Sequence, residues 1–523
     1  MRTAFFWLVL GAFYTATAAL AVYGLHLYAL LHLFRRRQKT VRREQRAVLE
    51  NAALDRPADS WPVVTTQIPV YNERDVVERV LEAVAAMDYP HERHEIQVLD
   101  DSDDATRDVV DRAAVRLNRR GCDVHVVRRD TREGYKAGAL AHGLSVARGE
   151  YVAVFDADFV PPKTFLKQAV LLMEHRKDLA CLQGRWGHLN RYESWLTEAQ
   201  ALGIDGHFAI EQGARAWNGL MMNFNGTGGL WRRAAIEDPN VGGWNGDTLT
   251  EDLDLSYRAQ LAGWKLDYCL DLPCPAELPG TIGALKSQQR RWAAGSIQVA
   301  RKLLPRIWRS RISLGEKVEA TLHLTHYSVA LWMLLLAVAA RPMLMVISEK
   351  LVFPDWFWVA WIAIVVSAVA PSLVYTYARY VLEGRWSALA TIPSMLVLGC
   401  GMCVNNTLGV IRGLVRFGGE FVRTPKSGSA DQRKAVSRYQ VAVSHTWAIE
   451  LLLGLYSLFS FLLYFMEGHR LFSLFLLLYS LGFCTVGWMS RPARKKAGPH
   501  ALSHATTLLP ANVPQMESAA ARA

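Results

Sequence analysis

Apolar residues are distributed along this chain in two regimes. From Arg35 to about Glu316 short apolar runs alternate with polar stretches, as in a water-soluble domain; from about Ala320 to Met489 they merge into long blocks. Phe5–Phe34 is another such block. Leu322–Ile347, Trp356–Tyr380, Val441–Phe465 and Leu471–Met489 each approach the ~20 residues that a helix needs to cross a bilayer. Leu396–Val415 is of similar length but carries Asn405, Asn406, Arg412 and several glycines.

Inside the polar region, four β-rich runs recur at a spacing of roughly 30 residues: "PVVTTQIPV", "EIQVLD", "DVHVVRR" and "EYVAVFDAD". Helical patterns at Val76–Met87 and Ala105–Arg119 separate them. Strand and helix alternating in this way predict a parallel α/β sheet. The predicted division is a membrane helix over 1–34, a basic cytoplasmic linker over 35–60 and an α/β domain over 61–280. Interfacial helices follow over 281–316, then a membrane region over 317–490, in which 388–417 lies at the interface and 418–440 forms a loop. The tail, 491–523, lacks apolar periodicity and is expected to be disordered.

The formal charge of +11 invites a nucleic-acid reading, but Lys and Arg gather beside the apolar blocks, as in "RRRQKTVRR" and "RPARKK". That placement indicates a lipid bilayer as partner and no nucleic acid. It puts the N-terminus outside and the α/β domain in the cytoplasm; the first block is too long for a signal peptide, and its charges follow it. Five crossings return the basic tail to the cytoplasm, whereas a sixth through Leu396–Val415 would strand it outside, so that segment is expected to lie at the interface. Seven cysteines form no disulfide framework, and Cys400 and Cys403, inside an apolar run, read as buried thiols.

Ligands of such sheets bind beyond the C-terminal ends of the strands. Here those ends carry Tyr71-Asn72-Glu73, Asp100-Asp101 and Asp156-Ala157-Asp158. Each has a plainer explanation: Asp101 could cap a helix, and the acidic triplet could be a turn. Alternate residues of an extended segment share a face, however, so Asp156 and Asp158 could engage one hard divalent cation and a diphosphate. Lys136, between Gly134 and Gly138, could complement phosphate charge or be a surface lysine at a helix start. "FNGTGGLWRRAAI" is either a tight acceptor pocket or a connection, and Thr250-Glu251-Asp252 opens an amphipathic helix, where acids also suit the dipole. Asp252 could instead serve as a general base. In "LKSQQRRWAAGS" a cationic, aromatic cluster stands just before the membrane blocks.

Taken together and in order, "PVYNE", "VLDDS", "FDAD", "TED" and "QQRRW" before apolar spans resemble the family-2 membrane glycosyltransferases. The likeness is nearest to the cellulose-synthase-like group that makes β-1,4-mannan, glucomannan or the glucan backbone of xyloglucan, and it covers about Trp61 to Leu304. The resemblance implies a GT-A-type, Rossmann-like cytoplasmic domain joined to an all-α membrane region. It implies that Tyr71 and Glu73 hold the nucleotide base with Asp100 or Asp101 nearby, and that Lys136 meets the phosphates. Asp156 and Asp158 would bind Mg²⁺ or Mn²⁺. Asp252, beside Glu251 and Thr250, would be the base of an inverting transfer. Gln288 and Arg291 would complete the donor site, with Trp292 and Gly228 toward the acceptor. "FVRTPKSG" resembles a gating loop, placing Thr424 and Lys426 over the nucleotide. With one N-terminal span and no long regulatory domain following, a cyclic-dinucleotide switch is not indicated.

The implied activity is processive, inverting transfer of hexose from UDP-glucose or GDP-mannose to a growing β-glycan, in a plasma or bacterial inner membrane, with the C-terminus cytoplasmic. A glycolipid synthase adding one sugar to diacylglycerol, ceramide or a polyprenyl lipid is the alternative. A transporter or receptor with an inactive nucleotide-binding domain would lack the carboxylates, and they are present.

Overall fold

The computed structural model describes residues 2–52, 56–348, 354–419 and 446–492. The four expected strands form, as β1 (Val64–Val70), β2 (His94–Asp100), β3 (Asp123–Val127) and β4 (Tyr151–Val154). They run parallel, with Val70 opposite Asp100 and Gln67 opposite Val154. Between them lie α2 (Val77–Ala85), α3 (Thr106–Arg119) and α4 (Tyr135–Val146), preceded by α1 (Arg2–Asn51). Then come α5 (Phe165–His175), β5 (Leu179–His188), α6 (Trp195–Gly206), a π-helical turn at His207–Gln212 and α7 (Gly213–Ala216). β6 (Gly229–Arg232), α8 (Arg233–Ile236), α9 (Glu251–Leu261) and β7 (Lys265–Ala276) finish the domain.

The sheet has seven strands in the order β3-β2-β1-β4-β6-β5-β7 and is mixed, which corrects the expectation of a parallel sheet. β6 runs antiparallel to both β4 and β5. It enters directly from a turn in which Gly226 and Gly228 have φ of +82° and +66°, so no crossover helix turns the chain round. β7 carries Pro273 and Pro275, which an edge strand tolerates because one side needs no donor.

One face of the sheet packs against α2, α3 and α5 through side chains such as Val80, Leu117 and Phe165. The core on the other face combines Leu140, Trp231 and Tyr268 with Leu30 and Phe34 of α1. Phe34, fully buried, stacks on Trp217 with centroids 5.4 Å apart. Burying a side chain of that size favours the folded state by about 1.5–3 kcal/mol. The α/β domain therefore shares its core with an apolar helix. α1 also continues without a break to Asn51, so the segment expected to be a linker is helical through most of its length. "RRRQKTVRREQRAVLE" contains good helix formers and neither Gly nor Pro. Its basic residues reach the domain as well as any lipid: Arg42 and Arg46 pair with Asp271 of β7 at 2.6 and 3.2 Å.

Beyond the sheet, α10 (Ile282–Arg309) and α11 (Leu314–Thr325) lead through a short 3₁₀ turn into α12 (Val329–Ser348). They are followed by α13 (Pro354–Glu383), α14 (Ile392–Gly401), α15 (Cys403–Val415), α16 (Thr446–Met466) and α17 (Arg470–Met489). Among the described residues five helical stretches are long and apolar enough to cross a membrane: Ala4–Asn51, Leu314–Ser348, Trp358–Glu383, Thr446–Met466 and Arg470–Met489. A sixth would be the pair α14 and α15, bent by 48°. Asn405 of that pair faces α10. Asn405 donates from Nδ2 to the Lys286 carbonyl at 2.9 Å and accepts from Arg290 Nε at 3.1 Å. A Cβ on Gly413 would stand 2.5 Å from the Ala294 carbonyl oxygen, so glycine is what lets α15 close on α10. Cys400 and Cys403 are buried free thiols. The expected tail and the loop carrying Thr424 and Lys426 lie outside the described residues, apart from their first two residues each.

Candidate active site

The C-terminal ends of β1, β2 and β4 open on one cleft, closed from the other side by the start of α9 and by α10. Tyr71, Glu73, Asp101, Lys136, Asp156 and Asp158 line it, and so do Thr250, Glu251, Asp252, Gln288, Arg291 and Trp292. Residues separated by up to 221 positions, Tyr71 and Trp292, thus meet around a common hollow.

At the β1 end Asn72 takes a left-handed φ of 57°, and its N–H donates to Ser102 Oγ at 2.9 Å. Asp101 is gripped by Arg129, whose Nε and a terminal nitrogen lie 2.9 and 2.6 Å from the two carboxylate oxygens. Neither Asp101 nor Ser102 caps α3; Asp104 accepts from the Thr106 N–H at 2.8 Å. Asp100 does not line the cleft. It is buried, accepting from Ser102 N–H at 3.1 Å and from Arg128 at 2.9 Å.

Lys136 stands on the first turn of α4, after Gly134 at φ +68°. Its ammonium donates to Asp156 Oδ1 at 2.5 Å and to the Gly226 carbonyl at 3.0 Å, with Glu251 at 3.9 Å. Burial opposes its charge, but Asp156, Glu251 and Asp252 outweigh burial and hold its pKa above the ordinary value.

Thr250 precedes α9 without capping it, and the Asp252 carboxylate accepts from the N–H of its neighbour, Leu253, at 2.8 Å. Burial first, then the charge of Glu251, push the Asp252 carboxyl up to about 7, against Lys136 and Arg291. A Cβ on Gly226 would lie 2.8 Å from Asp252 Oδ2, so this position must be glycine for the carboxylate to stay where it is. Arg291, half-buried on α10, has its pKa lowered by desolvation while Glu251, Asp156 and Asp252 oppose the shift. Gly228 lies off the cleft: its φ of +66° shapes the turn into β6, and its carbonyl accepts from Gln183 at 3.0 Å.

A family model described as "Glycosyltransferase like family 2" matches residues 62–295, which hold every lining residue named above. Glucomannan 4-beta-mannosyltransferase 7 of Arabidopsis thaliana is 33% identical over 446 residues, 82% of this chain and 77% of that protein. The chain belongs to the family-2 glycosyltransferases, in their cellulose-synthase-like group. Glucomannan 4-beta-mannosyltransferase 2 of the same plant is 40% identical over 258 residues, 49% of this chain and 48% of that protein. Among solved structures, the mannosyltransferase PcManGT from Pyrobaculum calidifontis, in complex with GDP-Man and Mn²⁺, aligns with 76% of this chain and 99% of its own. Its identity to this chain is 20% and the TM-score 0.46.

In this glycosyltransferase the cleft wall also holds side chains that the motifs did not reveal. Arg132 places its guanidinium 3.3 Å from the ring centroid of Tyr71, at the end of the cleft where β1 stops. In sequence it is one arginine among several in "RRDTREGYK". Trp186 and His188 come from the end of β5, a strand whose run "LACLQGRWGH" shows no clean alternation. Trp186 lies 6.4 Å from Trp292, centroid to centroid.

Proposed function

We propose that this enzyme transfers hexose from a nucleotide sugar, GDP-mannose or UDP-glucose, to the end of a growing β-1,4-linked glycan with inversion. Transfer repeats without release of the chain, and the product passes between the apolar helices. The observation that carries the reading is the position of Asp252, half-buried on the first turn of α9 and lining the same cleft as Lys136, Arg291 and Trp292. A carboxylate so placed can take the proton of an acceptor hydroxyl as its oxygen bonds to the anomeric carbon and the bond to phosphate breaks on the opposite face. Arg291 and Lys136 supply fixed positive charge toward the departing diphosphate. Trp292 offers the acceptor sugar a flat apolar face. The names of the relatives support a mannan-type product, and α10, which carries Trp292 and also packs on α15, supports delivery toward the membrane helices.

Asp156 and Asp158 fit a hard divalent cation, since both present carboxylates to the cleft. Among the described residues no group of three or more His, Cys, Asp or Glu could hold an ion unaided, so further ligands would come from the donor diphosphate and water. Mg²⁺ or Mn²⁺ bound there would neutralise charge on the leaving group. The domain and the C-terminus are read as cytoplasmic, on a plasma or bacterial inner membrane. Membranes containing the enzyme, given labelled GDP-mannose and UDP-glucose separately, are expected to yield a ladder of polymer from one of them. A single labelled glycolipid would overturn the polymer reading.

A further inference from the structure

Trp186 and His188 are alternate residues of β5 and both line the cleft. Trp186 is fixed: it stacks on Phe208 with centroids 4.9 Å apart, meets Phe159 edge-on, and its indole N–H donates to the Thr227 carbonyl at 3.3 Å. His188 is fixed from behind. Its Nε2 lies 2.8 Å from Asp205 Oδ1, with the two side chains only 6% and 2% exposed. Asp205, on α6, is held in turn by Arg379 of α13 at 3.5 Å, and Arg379 by Glu383 at 3.2 Å.

In the tautomer that donates from Nε2 to the Asp205 carboxylate, Nδ1 is the ring atom left to accept. Nδ1 has no protein partner among the described residues. An interior histidine kept only for packing would be sealed from the cleft; this one forms part of its wall together with Trp186, whose ring lies 6.4 Å from that of Trp292. Aromatic rings next to one oriented acceptor match a sugar, which has apolar C–H faces and directed hydroxyls.

We propose that His188 is a specificity-determining residue on the acceptor side: Nδ1 accepts a hydrogen bond from a hydroxyl of the acceptor glycan, and Asp205 is the positioning residue that orients the ring. The proposal rests on the glycan-acceptor reading above. It ties acceptor recognition to α13, one of the helices long enough to span a membrane.

The test uses the full-length enzyme in detergent, with mannotetraose and cellotetraose as acceptors and GDP-mannose and UDP-glucose as donors. His188→Ala is expected to raise the acceptor KM about 10-fold, the loss of one hydrogen bond, with Kd for GDP or UDP in the presence of Mn²⁺ unchanged. His188→Gln is expected to recover part of the affinity, and Asp205→Asn to raise the acceptor KM in the same direction but less. Retained nucleotide binding reports a folded variant; if His188→Ala fails to bind nucleotide, the Gln variant carries the comparison. An unchanged acceptor KM, or a matching rise in nucleotide Kd, overturns the assignment while leaving the glycan-acceptor reading intact. Wild-type enzyme that transfers to neither tetrasaccharide overturns that reading itself, and this inference with it.

Discussion

Lys286 of α10 points its ammonium at the carboxylate of Glu450 in α16, 2.7 and 2.8 Å from the two oxygens, with the side chains 3% and 0% exposed. Thr446 and Ser490 each offer a hydroxyl to the same ammonium at 3.0 Å. The helix that carries Gln288, Arg291 and Trp292 is thereby tied to a helix long enough to span a membrane.

Removing one partner of such a pair strands a charge away from water, which costs about 3–5 kcal/mol, whereas replacing both with apolar groups is often close to neutral. Glu450→Ala is therefore expected to lower the melting temperature in detergent markedly and to impair transfer. The Lys286→Met, Glu450→Leu double variant should regain most of the stability. A single variant as stable as wild type would show that the pair is not what fixes α10.

Asp252→Asn keeps size and shape but cannot accept a proton. Since general-base catalysis contributes about 10²–10⁴-fold, the turnover number should fall by that order while the donor KM stays near the wild-type value. Steady-state kinetics on both substrates decide it. A parallel loss of donor affinity would mean that Asp252 binds the donor rather than moving a proton.

The elevated pKa of Asp252 sets a direction for pH. The base acts when ionised, and its pKa is pushed up to about 7, chiefly by burial and next by Glu251. kcat/KM should accordingly rise with pH, approaching tenfold per unit below about 7, and level off above it. Glu251→Gln removes the like charge and should move the inflection to lower pH. For stability the sign is opposite: the folded state holds a proton that the unfolded chain, with an ordinary aspartate, has released, so this group's contribution diminishes as pH rises from about 4 to 7. An inflection that does not move in Glu251→Gln would remove Glu251 as a cause.

How much of this was legible beforehand depends on what each residue's neighbours reveal. Tyr71, Asp101 and Asp156 stand where an apolar strand run stops, and the period-2 pattern marks that stop without any tertiary information. The direction of β6 leaves no such trace, because four residues after a glycine turn pair equally well in either sense until β4 and β5 are in place. Asp100 and Asp101 are adjacent and chemically identical; successive side chains at a strand end point to opposite sides, where Arg128 meets one and Arg129 the other. Trp186 and His188 depend on contacts from α6 and α10 that are distant in sequence. The basic run after Phe34 has the composition of a lipid-facing charge cluster, yet Arg42 and Arg46 engage Asp271, because an uninterrupted helix carries them alongside β7.

The Lys136–Asp156 contact bears on metal dependence. With Asp156 Oδ1 taken by the ammonium at 2.5 Å, an ion entering the cleft finds the other oxygen of Asp156 and the carboxylate of Asp158, too few ligands for tight binding alone. Diphosphate oxygens would supply the remainder, so ion and nucleotide should bind cooperatively. Titration calorimetry is expected to show weak Mn²⁺ uptake by the enzyme alone and at least about tenfold tighter uptake once GDP or UDP is bound, a coupling of about 1.4 kcal/mol that must act equally in both directions. Asp158→Ala should abolish the coupling and leave only the metal-independent part of nucleotide affinity. Nucleotide affinity that is equal with and without Mn²⁺ in the wild-type enzyme would remove Asp156 and Asp158 from the metal-binding role.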